Sequence, residues 1–138
     1  MTKAYLALAL LITVLAGNAY GEDEVYYCAE TDGNGFWFDE TSKKLTRSGF
    51  VTDKFKIKFD STAKTLEIKG HPDGPSNGTY PCTAPYANVK PELLSCTKTL
   101  NHFSFNSNNG RFVFAKLFGY VGGDGDSIIV KYGKCDKF

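Results

Sequence analysis

The sequence predicts an all-β protein, a small antiparallel barrel built as a meander of about eight strands, with a β-sandwich as the alternative. Three observations carry this. Apolar and charged residues alternate with period two in segments such as Phe55-Lys56-Ile57-Lys58-Phe59 and Leu66-Glu67-Ile68-Lys69, the mark of a sheet with one wet face. Clusters of Gly, Asn, Asp and Ser punctuate the chain between these segments. Helix signals are nearly absent. Sequential hairpins favour a meander, and closure removes the edge strands that invite aggregation.

The chain opens Met1-Thr2-Lys3 and continues without charge and largely apolar to Gly17, with hydroxyls at Tyr5 and Thr13. A basic start, an apolar core of about a dozen residues and a small-residue exit at Ala19-Tyr20-Gly21 form the pattern of a secretory signal peptide. Cleavage is expected after Gly21, so residues 1–21 are a leader and residues 22–138 a single domain. The apolar run is shorter than the roughly 20 residues a membrane helix needs. Leu15-Ala16-Gly17 begins like a lipoprotein box, but Asn18 follows in place of cysteine. No lipid or membrane anchor is expected, and the domain is read as a secreted or periplasmic monomer.

Strands are expected over residues 25–30, 36–38, 55–59, 66–69, 80–83, 95–99, 102–105, 111–121 and 127–134. Turns are expected at 32–35, 106–110 and 122–126, where residues that tolerate positive φ cluster. Residues 70–78, with Pro72 and Pro75, read as an irregular loop. Pro91-Glu92-Leu93-Leu94-Ser95 reads as one helical turn, with proline at its first position.

All four cysteines fall after residue 21. An even count in an exported chain reads as disulfides. Of the three pairings, closure of the sheet favours Cys28–Cys135, because the first and last strands then become neighbours, together with Cys82–Cys96. No close cysteine pair occurs and only His71 and His102 are available, so no metal site or other cofactor is expected. Removing residues 1–21 leaves 15 basic against 15 acidic residues, a balance that argues against a nucleic-acid partner.

The segment 111–121 is apolar on both faces, with Phe112, Phe114, Phe118 and Tyr120 sharing one of them. Such a strand is covered on both sides or meets a ligand. Phe114, Lys116, Tyr120 and His102 are therefore candidates to line a pocket, with Lys116 or His102 orienting a polar group. Trp37 is out of phase with Phe36 and Phe38 and is a candidate contact for a partner. The outer lysines of residues 54–69 read as solubilising. Asp124-Gly125-Asp126 reads as a hairpin turn, since a calcium loop would need a glutamate at its twelfth position, where Cys135 stands. Asn77-Gly78-Thr79 is a glycosylation sequon. Motifs of serine, metal-dependent and phosphate-transfer enzymes are missing.

Tyr26-Tyr27-Cys28 in the first strand, with Cys135 in the last, resembles the two ends of the bacterial periplasmic inhibitors of C-type lysozyme, which are small exported barrels. Their Ser-Gly-x-x-Tyr motif has no counterpart, since Ser48-Gly49-Phe50 stops short of it, and no inhibitory residue is carried over. The expected architecture is similar to that of calycin-type ligand binders; their G-x-W signature is not found near the start, and Gly35-Phe36-Trp37, which has its spacing, lies after the first cysteine strand. The functional expectation is a non-enzymatic protein holding a small apolar ligand in its barrel. The alternative is an inhibitor or surface factor facing an envelope or extracellular protein.

Overall fold

A computed structural model describes residues 23–123 and 127–138. The expected leader at residues 1–21 and most of the expected turn at 122–126 lie outside the described residues. Among the described residues, nine antiparallel strands follow in chain order: β1 (Glu24–Asp39), β2 (Lys44–Gly49), β3 (Lys54–Asp60), β4 (Thr65–Lys69), β5 (Gly78–Thr83), β6 (Leu93–Lys98), β7 (Asn101–Asn106), β8 (Arg111–Lys116) and β9 (Ile128–Lys137). Strand β1 pairs with β3, each later strand pairs with its successor, and β9 returns to β1. Eight strands thus close a barrel, and β2 is an extra strand on the C-terminal half of β1.

Alternation fills the interior. Phe55 and Ile57, Leu66 and Ile68, Phe103 and Phe105, and Phe112 and Phe114 all point inward and are buried. Phe103 stacks on Phe112 at 5.3 Å between centroids, and Phe55 meets Phe112 edge-on at 5.4 Å. Such offset and edge-to-face pairs suit the ring quadrupoles. Each disulfide joins residues directly opposite in a ladder: Cys28–Cys135 ties β1 to β9, and Cys82–Cys96 ties β5 to β6. Both are the expected pairings, and they are compatible with an oxidising compartment.

Four expectations need correction. Residues 32–35 are not a turn but the middle of β1, which runs 16 residues and shifts register between Glu30 and Asp32. The glycines there serve close approach, because a Cβ on Gly35 would lie 1.9 Å from the Ile128 carbonyl oxygen. Residues 44–49, read as no element, form β2. Residues 91–95 make no helix: the turn ends at Glu92 and β6 begins at Leu93. The long strand stops at Lys116, and residues 118–122 form a short helix, α1 (Phe118–Gly122). Phe118 and Tyr120 therefore leave the face that Phe112 and Phe114 share and stand exposed. An unbroken apolar run does not reveal where a strand gives way to a helical turn. Among the described residues no helix is long and apolar enough to cross a membrane.

Candidate site at the barrel mouth

One end of the barrel is formed where β8 ends, β9 begins, β4 ends and β3 begins. Two connections fold over it: residues 50–53, entering β3, and residues 70–77, entering β5. The period-two pattern makes an exception here. Glu30 and Lys131 occupy inward positions on β1 and β9, in line with Cys28 and Cys135, and both are buried.

A buried carboxylate needs partners. Glu30 accepts hydrogen bonds from the Lys131 ammonium at 2.8 Å, from the Asp53 backbone N–H at 2.7 Å, and from His71 Nε2 at 3.2 Å. Lys131 also donates to the Val51 carbonyl at 2.9 Å and to Asp53 Oδ2 at 3.0 Å, so its three protons meet three acceptors. His71 Nδ1 accepts the Asp73 backbone N–H at 3.1 Å. That bond leaves Nδ1 without a proton, so Nε2 carries one and donates to Glu30. The Asn77 side chain brackets His71, accepting its N–H and donating to its carbonyl. The network continues outward through Asp73, which accepts from Ser76 Oγ at 2.7 Å and pairs with Lys116 at 2.8 Å.

Burial pushes the Glu30 carboxyl up, but hydrogen bonds from His71, Lys131 and the Asp53 backbone outweigh it and hold the group below the usual carboxylate range. Burial pushes Lys131 down, and the bonds to Glu30 and Asp53 reverse that and hold it above the ordinary lysine value. For Asp73, burial is likewise outweighed by Lys116 and Ser76, and its carboxyl is lowered. Both connections are thus bolted to the barrel wall by ionised groups.

Glu30, Asp53 and His71 are residue types that ligate metals, and one ligand atom from each lies within 4.8 Å of the others. The Lys131 ammonium bonds to both carboxylates and holds the place a cation would take. The donor set is therefore complete as a salt-bridge cluster.

A cavity of about 280 Å³ opens beside this network. Phe50, Phe114 and Ile129 supply apolar wall, and Asp53, Asp73 and Lys116 supply charge. Of the residues singled out from sequence, Phe114 and Lys116 meet in this cavity. Trp37 lies past Ile128, the last β1–β9 pair, on the part of the β1–β2 hairpin that extends beyond this end, and is 56% exposed. Tyr120 is 52% exposed on α1, also at this end. His102 points to the outer surface, where its Nδ1 lies 3.3 Å from Thr97 Oγ1. Sequence reading missed Glu30, Asp53, His71 and Lys131 as a group. For two of them a signal existed, a charge at an inward position of an otherwise apolar strand.

Comparison of the chain with protein-family profiles, curated proteins and solved structures finds no match.

Proposed function

We propose that this protein is an exported, non-enzymatic binding protein whose small ligand seats in the barrel mouth. The mouth cavity carries the proposal: it has apolar walls, a few convergent polar groups and a rim held rigid by buried ion pairs. These are the attributes of a small-molecule site. At about 280 Å³ it lies near the lower end of the roughly 300–1,000 Å³ typical of such sites. Side chains occupy the barrel axis, so the mouth, not the interior, is the seat. The fitting ligand is small, with an apolar body against Phe114 and Ile129 and a polar group at Lys116 and Asp73.

The non-enzymatic reading rests on the same network. A general base needs a free lone pair at the reacting proton, and both ring nitrogens of His71 are engaged. Both cysteine pairs are closed, and no free thiol remains among the described residues. Export is supported by the leader-like residues 1–21 and by the two disulfides.

Native mass spectrometry of protein purified from its host tests the proposal. The expected result is a bound mass that is lost or weakened at least about tenfold, roughly 1.4 kcal/mol, in Lys116→Gln. A protein that carries no bound mass, or one whose ligand is retained equally by the variant, contradicts it. A second reading is favoured by the exposed Trp37, Phe118 and Tyr120 at the same end, which suit a protein partner. Trp37→Ala would then abolish recovery of that partner from envelope extract.

A further inference from the structure

A hollow of about 600 Å³ lies on the outer face of β1, β3 and β4, at the end where β3 begins and β4 ends. Register places its residues in two adjacent rows. One runs Ala29, Lys54 across β1 and β3 and continues beyond the hollow to Lys134 on β9, which lies 3.8 Å from Asp136. The next runs Asp136, Tyr27, Lys56, Lys69 across β9, β1, β3 and β4. Ala29 is short and sits between longer side chains, which accounts for the depression.

The lysines here are arranged against stability. Lys56 and Lys69 stand directly opposite one another, and like charges so placed destabilise a sheet. Lysines elsewhere on this surface are compensated: Lys58 pairs with Asp23 at 2.7 Å, and Lys137 pairs with Glu24. Around the hollow compensation is thin. Lys69 reaches only Glu67, its neighbour on the same strand, at 3.1 Å. Lys56 lies over the Tyr27 ring, 5.2 Å from its centroid. Lys54 has no ion pair among the described residues. A purely solubilising role explains neither the hollow nor the facing pair.

We propose that this hollow binds an anionic saccharide of about two sugar units, carrying sulfate, phosphate or carboxylate groups. The ammonium groups of Lys54, Lys56 and Lys69 meet the oxyanions as charge-assisted donors. The Tyr27 ring and Ala29 offer an apolar wall to the C–H face of a sugar ring. Asp136 at the margin accepts from hydroxyls, which distinguishes a sugar from a bare oxyanion. The aromatics here are Tyr27, the Phe138 ring 5.7 Å from it and the buried Phe55 beneath, which form no track of successive stacking platforms of the kind that holds single-stranded nucleic acid. The hollow lies outside the sheet and shares no lining residue with the mouth cavity, so the proposal does not depend on the mouth site.

Titration of isotopically labelled protein, followed by amide chemical shifts, tests the proposal with four probes: a sulfated disaccharide, its unsulfated parent, inorganic sulfate and oligothymidylate. The sulfated disaccharide is expected to move the amides of Tyr27, Ala29, Lys56 and Lys69 and to bind tighter than the other three. The double variant Lys56→Gln/Lys69→Gln is expected to bind it at least about tenfold more weakly while melting no lower than the parent, since a facing like-charge pair has been removed. A control on β2, Lys44→Gln/Arg47→Gln, should bind as the parent does. The proposal is overturned by absent shifts, by equal binding of inorganic sulfate or the unsulfated parent, by tighter binding of oligothymidylate, or by an equal loss in the control.

Discussion

Lys131 and Glu30 show how much can rest on one charged pair in a sheet interior. Removing one partner of a buried pair leaves the other uncompensated, which costs about 3–5 kcal/mol. Lys131→Met is expected to lose that much in urea unfolding, and Glu30→Leu added to it should recover a large part, because apolar replacement of both partners is often neutral. The pair also sets a pH signature. The folded state lowers the Glu30 pKa from an ordinary value of 4.5, so its contribution is complete above that value and is lost as pH falls through the folded pKa. The folded state raises Lys131 from 10.5, so its contribution is present below 10.5 and is lost as pH rises through the folded pKa. The share of stability due to the pair should be flat between these limits, and the Lys131→Met/Glu30→Leu protein should show a shallower acid loss in urea midpoints measured against pH. These residues were half legible in the sequence. The inward phase of β1 and β9 marks Glu30 and Lys131 as anomalous, but Asp53 and His71 come from connections whose folding back no periodicity encodes.

Among the elements, alternation marks the β3–β4 hairpin in the sequence, because one face of it is wet and the other dry. It failed where backbone needs override side-chain pattern. Asp32-Gly33-Asn34-Gly35 has turn composition, yet β1 uses it to bend past β9 through a register shift. Bulges and glycines are how strands curve for barrel closure. Gly35→Ala tests this. Its Cβ would meet the Ile128 carbonyl oxygen at 1.9 Å, and overpacking against backbone should cost about 3 kcal/mol or more in denaturant unfolding. A loss below 1 kcal/mol would mean that β1 and β9 separate there without penalty. Gly110 is a second such position: its φ is +70° and it packs on the Cys135 carbonyl, so the turn before β8 admits no side chain.

For the molecule as a whole, the disulfides sit where closure is most exposed. Cys28–Cys135 locks the seam between the first and last barrel strands across a separation of 107 residues. Cys82–Cys96 fastens β5 to β6, whose register comprises two residue pairs. The chain-entropy account assigns about 4–5 kcal/mol to the long link and about 3 to the short one. Cys28→Ser/Cys135→Ser should therefore lose more in global unfolding, and Cys82→Ser/Cys96→Ser should speed amide exchange in β5 and β6 first. A barrel filled along its axis leaves the mouth as the proposed ligand seat. That placement is tested by an amide chemical-shift map of the ligand-stripped protein as the small-molecule fraction recovered from the native protein is added back. Shifts are expected at Phe50, Asp53, His71, Lys116 and Ile129, with the interior amides of Leu66, Tyr80 and Phe103 unmoved. Shifts centred on those interior residues, or no shifts at all, would contradict it.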